Sequence, residues 1–248
     1  MYNFFVMHVS ISAEHLFSLF GIPVSNTMLT ALVASFLLVI FSYFATRRMK
    51  KIPSGMQNFF EWGIEQLFQL VENVMDDRKL AFRFFPLIAT FFFFILVSNW
   101  MGLLPGFGSI GFYEHGALVP YFRSATADLN TTLAFAMISV IIIQIAGIAA
   151  LGFRHYGKKF FNFSSPINFF VGLLELISEF AKIISFSFRL FGAVLAGEIL
   201  LTVITGLVPY VLPLPFMGLE LFIGAVQALV FVLLTMVFLK IAMAAQEH

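Results

Sequence analysis

Long apolar runs separated by short charged segments organise this chain. Residues 28–45 carry no charge and end at a basic cluster of Arg47, Arg48, Lys50 and Lys51. A helix of about 20 apolar residues crosses a hydrocarbon core of about 30 Å, so this run predicts a transmembrane helix. The Phe-rich run 84–104 and the run 129–151 predict two more. The run 167–206 predicts one continuous helix of forty residues. At about 1.5 Å per residue it would be about 60 Å long, twice the core, and it must tilt, bend or project. Pro209, Pro213 and Pro215 predict a turn. The run 216–245 predicts a last helix, again longer than an upright span requires.

Two segments break this pattern. Residues 54–75 alternate with helical period: Phe60, Ile64, Leu67, Val71 and Val74 recur while Glu61, Glu65, Gln69 and Glu72 fill other faces. Ser54 with Gln57 resembles a capping box at its start. This amphipathic helix is too polar to span; it lies in the membrane interface, packs on a partner, or covers the protein's own surface. Residues 1–27, with Glu14, His15 and Pro23, predict an exposed tail or short surface element, and 106–128 predicts a polar loop containing Glu114, His115, Arg123 and Asp128.

Composition agrees. Of 248 residues 60% are hydrophobic and 11% charged, against about 25% charged in soluble domains. The fold class is therefore all-α: a polytopic integral membrane protein in one membrane domain, 1–248, with about five transmembrane helices and one interfacial helix. A net charge of +1 argues against nucleic acid, and zero cysteines exclude disulfides, thiolate metal sites and thiol nucleophiles. Residues 1–27 hold no Lys or Arg, so the basic region of a signal peptide is missing. Positive charge alternates between connections: none in 1–27, seven in 47–83, one in 106–128, three in 152–165 and none in 206–219. The positive-inside rule then places the N-terminus outside and the C-terminus in the cytoplasm or its equivalent.

The last two long helices hold Glu175, Glu179, Lys182, Arg189, Glu198 and Glu220, whereas the other three spans hold no ionisable residue. Such residues line ion paths or pair with one another. Arg189 costs about 2.5–3.5 kcal/mol near a bilayer centre on insertion scales and does not shed its proton. Glu175, Lys182 and Arg189, spaced by seven, lie close to one helix face, with Ser185 one turn from Arg189. Glu198, nine residues on, lies on the opposite side and about 13 Å further along the axis. Glu220 and Gln227 share a face of the last helix. Two offset polar sets with a fixed cation between them suggest two half-channels that do not connect directly. Ions would cross the gap on a mobile carboxylate whose ionised form Arg189 favours. The competing reading is intramembrane salt bridging, such as Glu179 with Lys182. Gly192/Ala196 and Ala193/Gly197 form small-xxx-small pairs that admit a close neighbour or serve internal packing. Asn99, Asp128, Glu114 and His115 lie near the outer side and are placed to feed Glu198 and Glu220. Solvated-loop roles for Glu114 and His115, and a helix cap for Asp128, compete with that reading.

The run Ser185-Phe-Ser-Phe-Arg189-Leu-Phe-Gly192 followed by Ala196-Gly197-Glu198 resembles the signature of subunit a of F-type ATP synthases. Gln227-Ala-Leu-Val-Phe231, the segment 243–248, Asn99-Trp-Met-Gly-Leu-Leu-Pro105 and Ala127-Asp128-Leu-Asn130 are similar to the same family. The resemblance implies the stator half of the proton-driven Fo motor, whose two long tilted helices curve against a rotating c-subunit ring. It implies peripheral-stalk b subunits, the rest of the F1Fo complex and the lipid bilayer as partners, and no cofactor, metal or nucleotide bound by this subunit. The family's essential arginine falls on Arg189, its outer half-channel glutamate on Glu198, its polar site seven residues before the glutamine on Glu220, and the glutamine on Gln227. An inner half-channel acid falls on Glu175, with Ser178 and Lys182 nearby. The asparagine common four residues after the arginine is Ala193 here, which lacks that hydrogen-bonding group. The N-terminal residues do not read as a transit segment, which fits a bacterial plasma membrane, and an organelle-encoded copy in an inner membrane would look similar.

A secondary ion-coupled transporter with a central arginine site is the alternative; it calls for broken helices or repeats, and neither is evident. An intramembrane redox enzyme or protease is weaker. His8, His15, His115, His155 and His248 all lie outside the spans, and no H-E-x-x-H motif occurs.

Overall fold

A computed structural model describes residues 14–19, 21–47, 49–50, 55–104, 110–114, 117–160, 165–208 and 211–244. Five helices among them are long and apolar enough to cross a membrane: α1 (Asn26–Thr46), α3 (Arg78–Met101), α4 (Leu129–Leu151), α6 (Pro166–Leu207) and α7 (Pro213–Ala244). Between these lie the amphipathic α2 (Met56–Met75) and the short α5 (Phe153–Phe160). All-α membrane architecture is thus as the apolar runs predict. The predicted surface element near the N-terminus is a hairpin, β1 (His15–Leu19) with β2 (Ile22–Ser25). The predicted polar loop folds partly into a second hairpin, β3 (Gly111–Glu114) with β4 (Ala117–Pro120), then a 3-10 turn at Ala125–Ala127.

Helix ends follow their caps. Ser25 accepts from Met28 N and starts α1 two residues before the apolar run. Asp77 accepts from Lys79 N and Leu80 N, so α3 begins six residues ahead of Phe84 and takes in Arg78, Lys79 and Arg83; it ends at Met101 rather than 104. The capping box expected for α2 is not what starts it. Its N-cap is Gly55, with no side-chain cap bond, and Ser54 lies outside the described residues. Gln57 instead donates to Lys50 O and Glu61 Oε1. Pro213 and Pro215 sit in the first turn of α7 rather than in the turn before it, where a missing N–H costs nothing; Pro209 lies outside the described residues.

The core forms where α3, α4, α6 and α7 meet. Ile88 and Ile95 of α3, Ile143 of α4, Leu190 of α6 and Met236 and Leu239 of α7 are fully buried there. Phe231 ties three helices together, edge-on to Phe91 at 5.7 Å and tilted on Phe186 at 5.3 Å. Aromatic pairs of this kind add about 0.5–1.5 kcal/mol beyond burial. The helix α2 covers the protein's own surface, burying Leu67, Val71 and Met75 while leaving Phe59, Trp62 and Ile64 exposed. Lys240 near the end of α7 pairs with Asp76, the C-cap residue of α2. No break interrupts α6 at Arg189: its 42 residues run continuously, about 63 Å at 1.5 Å per residue.

Candidate functional site

Polar groups gather at three levels along α6 and α7. At one end, Arg123 reaches Glu198 from the segment after β4. Its Nε and Nη2 both donate to Glu198 Oε2, at 3.0 and 2.9 Å. The Arg123 N–H donates to Thr30 Oγ1 of α1 at 3.2 Å. Glu220 packs against the neighbouring Gly197, whose missing side chain makes room: a Cβ there would stand 2.6 Å from Glu220 Oε1. Glu220 Oε2 is buried with no hydrogen-bond partner among the described residues. The structure thus brings the two predicted carboxylates together and adds Arg123, which the sequence places in the polar loop 106–128.

Asn99 and Asp128 stand nearby but bond elsewhere. Asn99 Nδ2 donates to Gly224 O at 3.0 Å, one turn beyond Glu220, and Asn99 Oδ1 accepts from Thr126 Oγ1 at 2.5 Å. Ser124 extends this buried chain to Thr126 and to Ser98 O. Asp128 caps α4 through Asn130 N at 3.1 Å and accepts from Thr27 Oγ1 at 3.2 Å. None of these hydrogen bonds joins Asn99 or Asp128 to either glutamate, and Asp128 serves as the helix cap that competes with the feeding role. His115 and the Glu114 side chain lie outside what is described.

At the middle level Arg189 is exposed on α6. Its Nη2 donates to Ser185 Oγ at 3.2 Å, and no carboxylate pairs with it among the described residues. Arg189 and Gln227 line one shallow cleft with Phe186, Leu190, Phe231 and Leu234. Around Arg189 the α6 surface is left uncovered: Phe180, Ile184 and Phe188 are more than half exposed, and a Cβ at Gly192 would meet nothing within 4 Å. Of the small-residue pairs, Gly197 therefore seats Glu220, whereas Gly192 opens outward beside the arginine.

At the other end the salt-bridging reading holds. Glu179 accepts from Lys182 at 2.7 Å and from Gln144 Nε2 at 2.6 Å, and Lys159 of α5 pairs with Glu175 at 2.6 Å. Ser178 is exposed beside them. Tyr156 donates to Gln144 Oε1, and α5 packs so closely that a Cβ at Gly172 would overlap Phe160 O. Burial, with Glu179 and Glu175 adding to it, pushes the Tyr156 hydroxyl up to about 12. Lys159, Gln144 and Tyr156 are not among the sequence-predicted site residues, although Gln144 is the one amide in the stretch 133–151, where Ser139 is the only other polar side chain. Among the described residues no group of His, Cys, Asp and Glu is arranged to hold a metal ion.

Comparison with known proteins adds an independent finding. The sequence model of a family described as ATP synthase A chain matches residues 27–240. A protein named ATP synthase subunit a from Campylobacter jejuni is 35% identical over 250 residues, covering 100% of this chain and 99% of the relative. Proteins of the same name from Gloeobacter violaceus and Moorella thermoacetica are 36% identical over 223 residues and 35% over 224. Each covers 90% of this chain, with 85% and 93% of the relative aligned.

Proposed function

The chain belongs to the ATP synthase A chain family, and from that premise we propose that it is the stator of the Fo motor, with Arg189 as a fixed cation facing a rotating ring of c subunits. The observation that carries this reading is the exposure of Arg189. An unpaired guanidinium on an apolar, uncovered helix surface is costly in lipid, and a moving carboxylate passing that surface offsets the cost. The uncovered face of α6 around it supplies the apolar contact such a ring requires.

Two polar levels flank the cation and serve as half-channels. Outside, Glu198 and Glu220 exchange protons with the ring carboxylate, with Asn99 and Asp128 shaping the approach. Inside, Glu175, Ser178, Lys182 and Ser185 line the other access. Arg189, seconded by Gln227, stabilises the ionised ring carboxylate as it passes and separates the two accesses. The protonated, neutral carboxylate travels through lipid. One proton crossing the membrane releases about 2.3 kcal/mol per 100 mV, which the complex couples to ATP synthesis; nucleotide chemistry is left to the soluble part. The distribution of Lys and Arg supports an external N-terminus and a cytoplasmic C-terminus in a bacterial plasma membrane. Peripheral-stalk b subunits are the partners proposed to hold the stator still.

The test is Arg189→Ala in inverted vesicles carrying the whole complex. ATP-driven proton pumping and proton-driven synthesis are expected to be lost, with nucleotide hydrolysis at least partly retained. Coupled pumping at the parent rate would overturn the reading.

A further inference from the structure

A second cation stands on the Arg189 edge of α6. Lys182 lies seven residues before Arg189, about 20° from it round the helix and about 10 Å along the axis. The two are held in opposite ways. Arg189 is exposed, whereas the Lys182 side chain is only 14% exposed. Lys182 Nζ donates to Glu179 Oε1 at 2.7 Å and lies 4.8 Å from the centre of the Phe238 ring of α7, a face that attracts cations. Glu179 is buried and sits about 60° further round α6 than Lys182, away from the uncovered surface. It is fixed there from α4: Gln144 Nε2 donates to Glu179 Oε2 at 2.6 Å, and Tyr156 of α5 donates in turn to Gln144 Oε1. Lys159 of α5 pairs with Glu175 at 2.6 Å and stands 3.7 Å from Glu179. Two carboxylates and two ammonium groups thus form a neutral set drawn toward α4 and α5.

A cation favours the ionised form of a carboxylate that passes it. That suits the level of Arg189. Two turns earlier, where the inner access hands a proton to the ring carboxylate, a bare ammonium would hold that carboxylate ionised and oppose its protonation. Resting on the stator reading above, we propose that Glu179, oriented by Gln144, is a positioning residue that draws Lys182 off the ring-facing surface, so that the ring carboxylate meets Arg189 and not Lys182. No bond forms or breaks; the device is electrostatic. The charged and titratable groups around Lys182 are Glu175, Glu179 and Arg189 of α6 and Lys159 and Tyr156 of α5. From α4 comes the amide of Gln144, and Lys240 of α7 is taken up by Asp76.

The experiment is the dependence of ATP-driven pumping on medium pH in whole-complex inverted vesicles, where the medium bathes the inner side. Pumping is divided by ATP hydrolysis at the same pH, and subunit content is measured by immunoblot. Glu179→Gln is expected to move the midpoint of the curve toward acid by about one unit, the lower end of the shift that an opposite charge gives a carboxylate. Glu179→Gln/Lys182→Gln is expected to return the midpoint to the parent position. Glu179→Gln/Lys182→Arg, which keeps the cation, is expected to stay acid-shifted. Lys182→Gln alone unmasks nothing and is expected not to move the midpoint toward acid. A salt bridge that only holds the helices together would lower assembly or rate without moving the midpoint, so Glu179→Gln at the parent midpoint would overturn the proposal. So would an acid shift that persists in Glu179→Gln/Lys182→Gln. If Glu179→Gln does not assemble, Ala181→Lys decides. Residue 181 is exposed on the uncovered face, so this variant adds an unmasked ammonium at the same level and leaves the buried set intact. It is expected to shift the midpoint toward acid; the parent midpoint would overturn the proposal. Arg189→Ala, run beside them, separates the two claims: if it is inactive, only the masking of Lys182 is at stake; if it pumps at the parent rate, the stator reading falls and takes this proposal with it.

Discussion

The carboxylate of Glu220 occupies the space that a side chain at Gly197 would need. A Cβ on Gly197 would lie 2.6 Å from Oε1 and 2.8 Å from Cδ of Glu220, closer than real Cβ contacts come.

Gly197→Ala therefore moves Glu220 rather than unfolding the helix pair, because the obstructing atoms are the far end of a flexible side chain. Assembly of the complex is expected to stay near the parent level. Proton pumping is expected to fall on the order of ten- to a hundredfold, the effect of misplacing a reacting group by about 1 Å. Pumping rate per assembled complex in inverted vesicles checks this. A parent-level rate would mean that the position of the Glu220 carboxylate is immaterial.

Asn99→Leu removes a donor to Gly224 O and an acceptor for Thr126, both buried. Leaving such groups unpaired costs about 1–3 kcal/mol each. The thermal midpoint for dissociation of the detergent-solubilised complex is expected to fall, and Asn99→Asp, which keeps the acceptor, is expected to lose less. Equal midpoints for Asn99→Leu and the parent would show that the hydrogen bonds to Gly224 and Thr126 contribute nothing.

Tyr156 gives a pH signature. Its folded-state value, about 12, lies above the ordinary value of 10. Between those values the unfolded tyrosine has lost its proton while the folded one keeps it. The Tyr156 contribution is thus fully present below pH 10 and declines as pH rises from about 10 to about 12. Tyr156→Phe is expected to lower stability at pH 8 by about 1 kcal/mol, the worth of one hydrogen bond, and to flatten the alkaline decline. Stability curves of the purified complex between pH 8 and 12 check both parts. An unchanged alkaline slope in Tyr156→Phe would assign the decline to other groups.

Apolar runs made the architecture legible. The length excess of α6 and the placing of Glu175, Glu179, Lys182, Arg189, Glu198 and Glu220 on the last two helices follow from composition and spacing alone; the structure keeps them, adds Lys240 to α7, and gives α3 the charges of Arg78, Lys79 and Arg83. What the sequence concealed is tertiary. Arg123 reads only as the one positive charge of the polar loop 106–128, because nothing near it in sequence marks Glu198, 75 residues later, as its partner. Lys159 reads as one of three positive charges in the connection 152–165, yet α5 folds back and places it on Glu175. The Glu179–Lys182 pair was legible because it is local, three residues apart on one helix. The hairpins were missed because strands of four or five residues leave little periodicity to read. Helix starts were misplaced where a cap, Asp77 or Ser25, lies beyond the apolar run. The two prolines at the start of α7 read as a turn because proline suits a first helical turn equally well.

The central claim is that the surface of α6 around Arg189 faces the ring. Gly192 stands three residues from Arg189, is exposed, and has open space where a Cβ would go; the chain contains no cysteine. The direct measurement is oxidative cross-linking of Gly192→Cys to a ring that carries one cysteine beside its carboxylate, with Val39→Cys on the outer face of α1 as control. Gly192→Cys is expected to form the cross-link and stop ATP-driven pumping until reductant is added, while Val39→Cys forms none. A cross-link from Val39→Cys and none from Gly192→Cys would contradict the account.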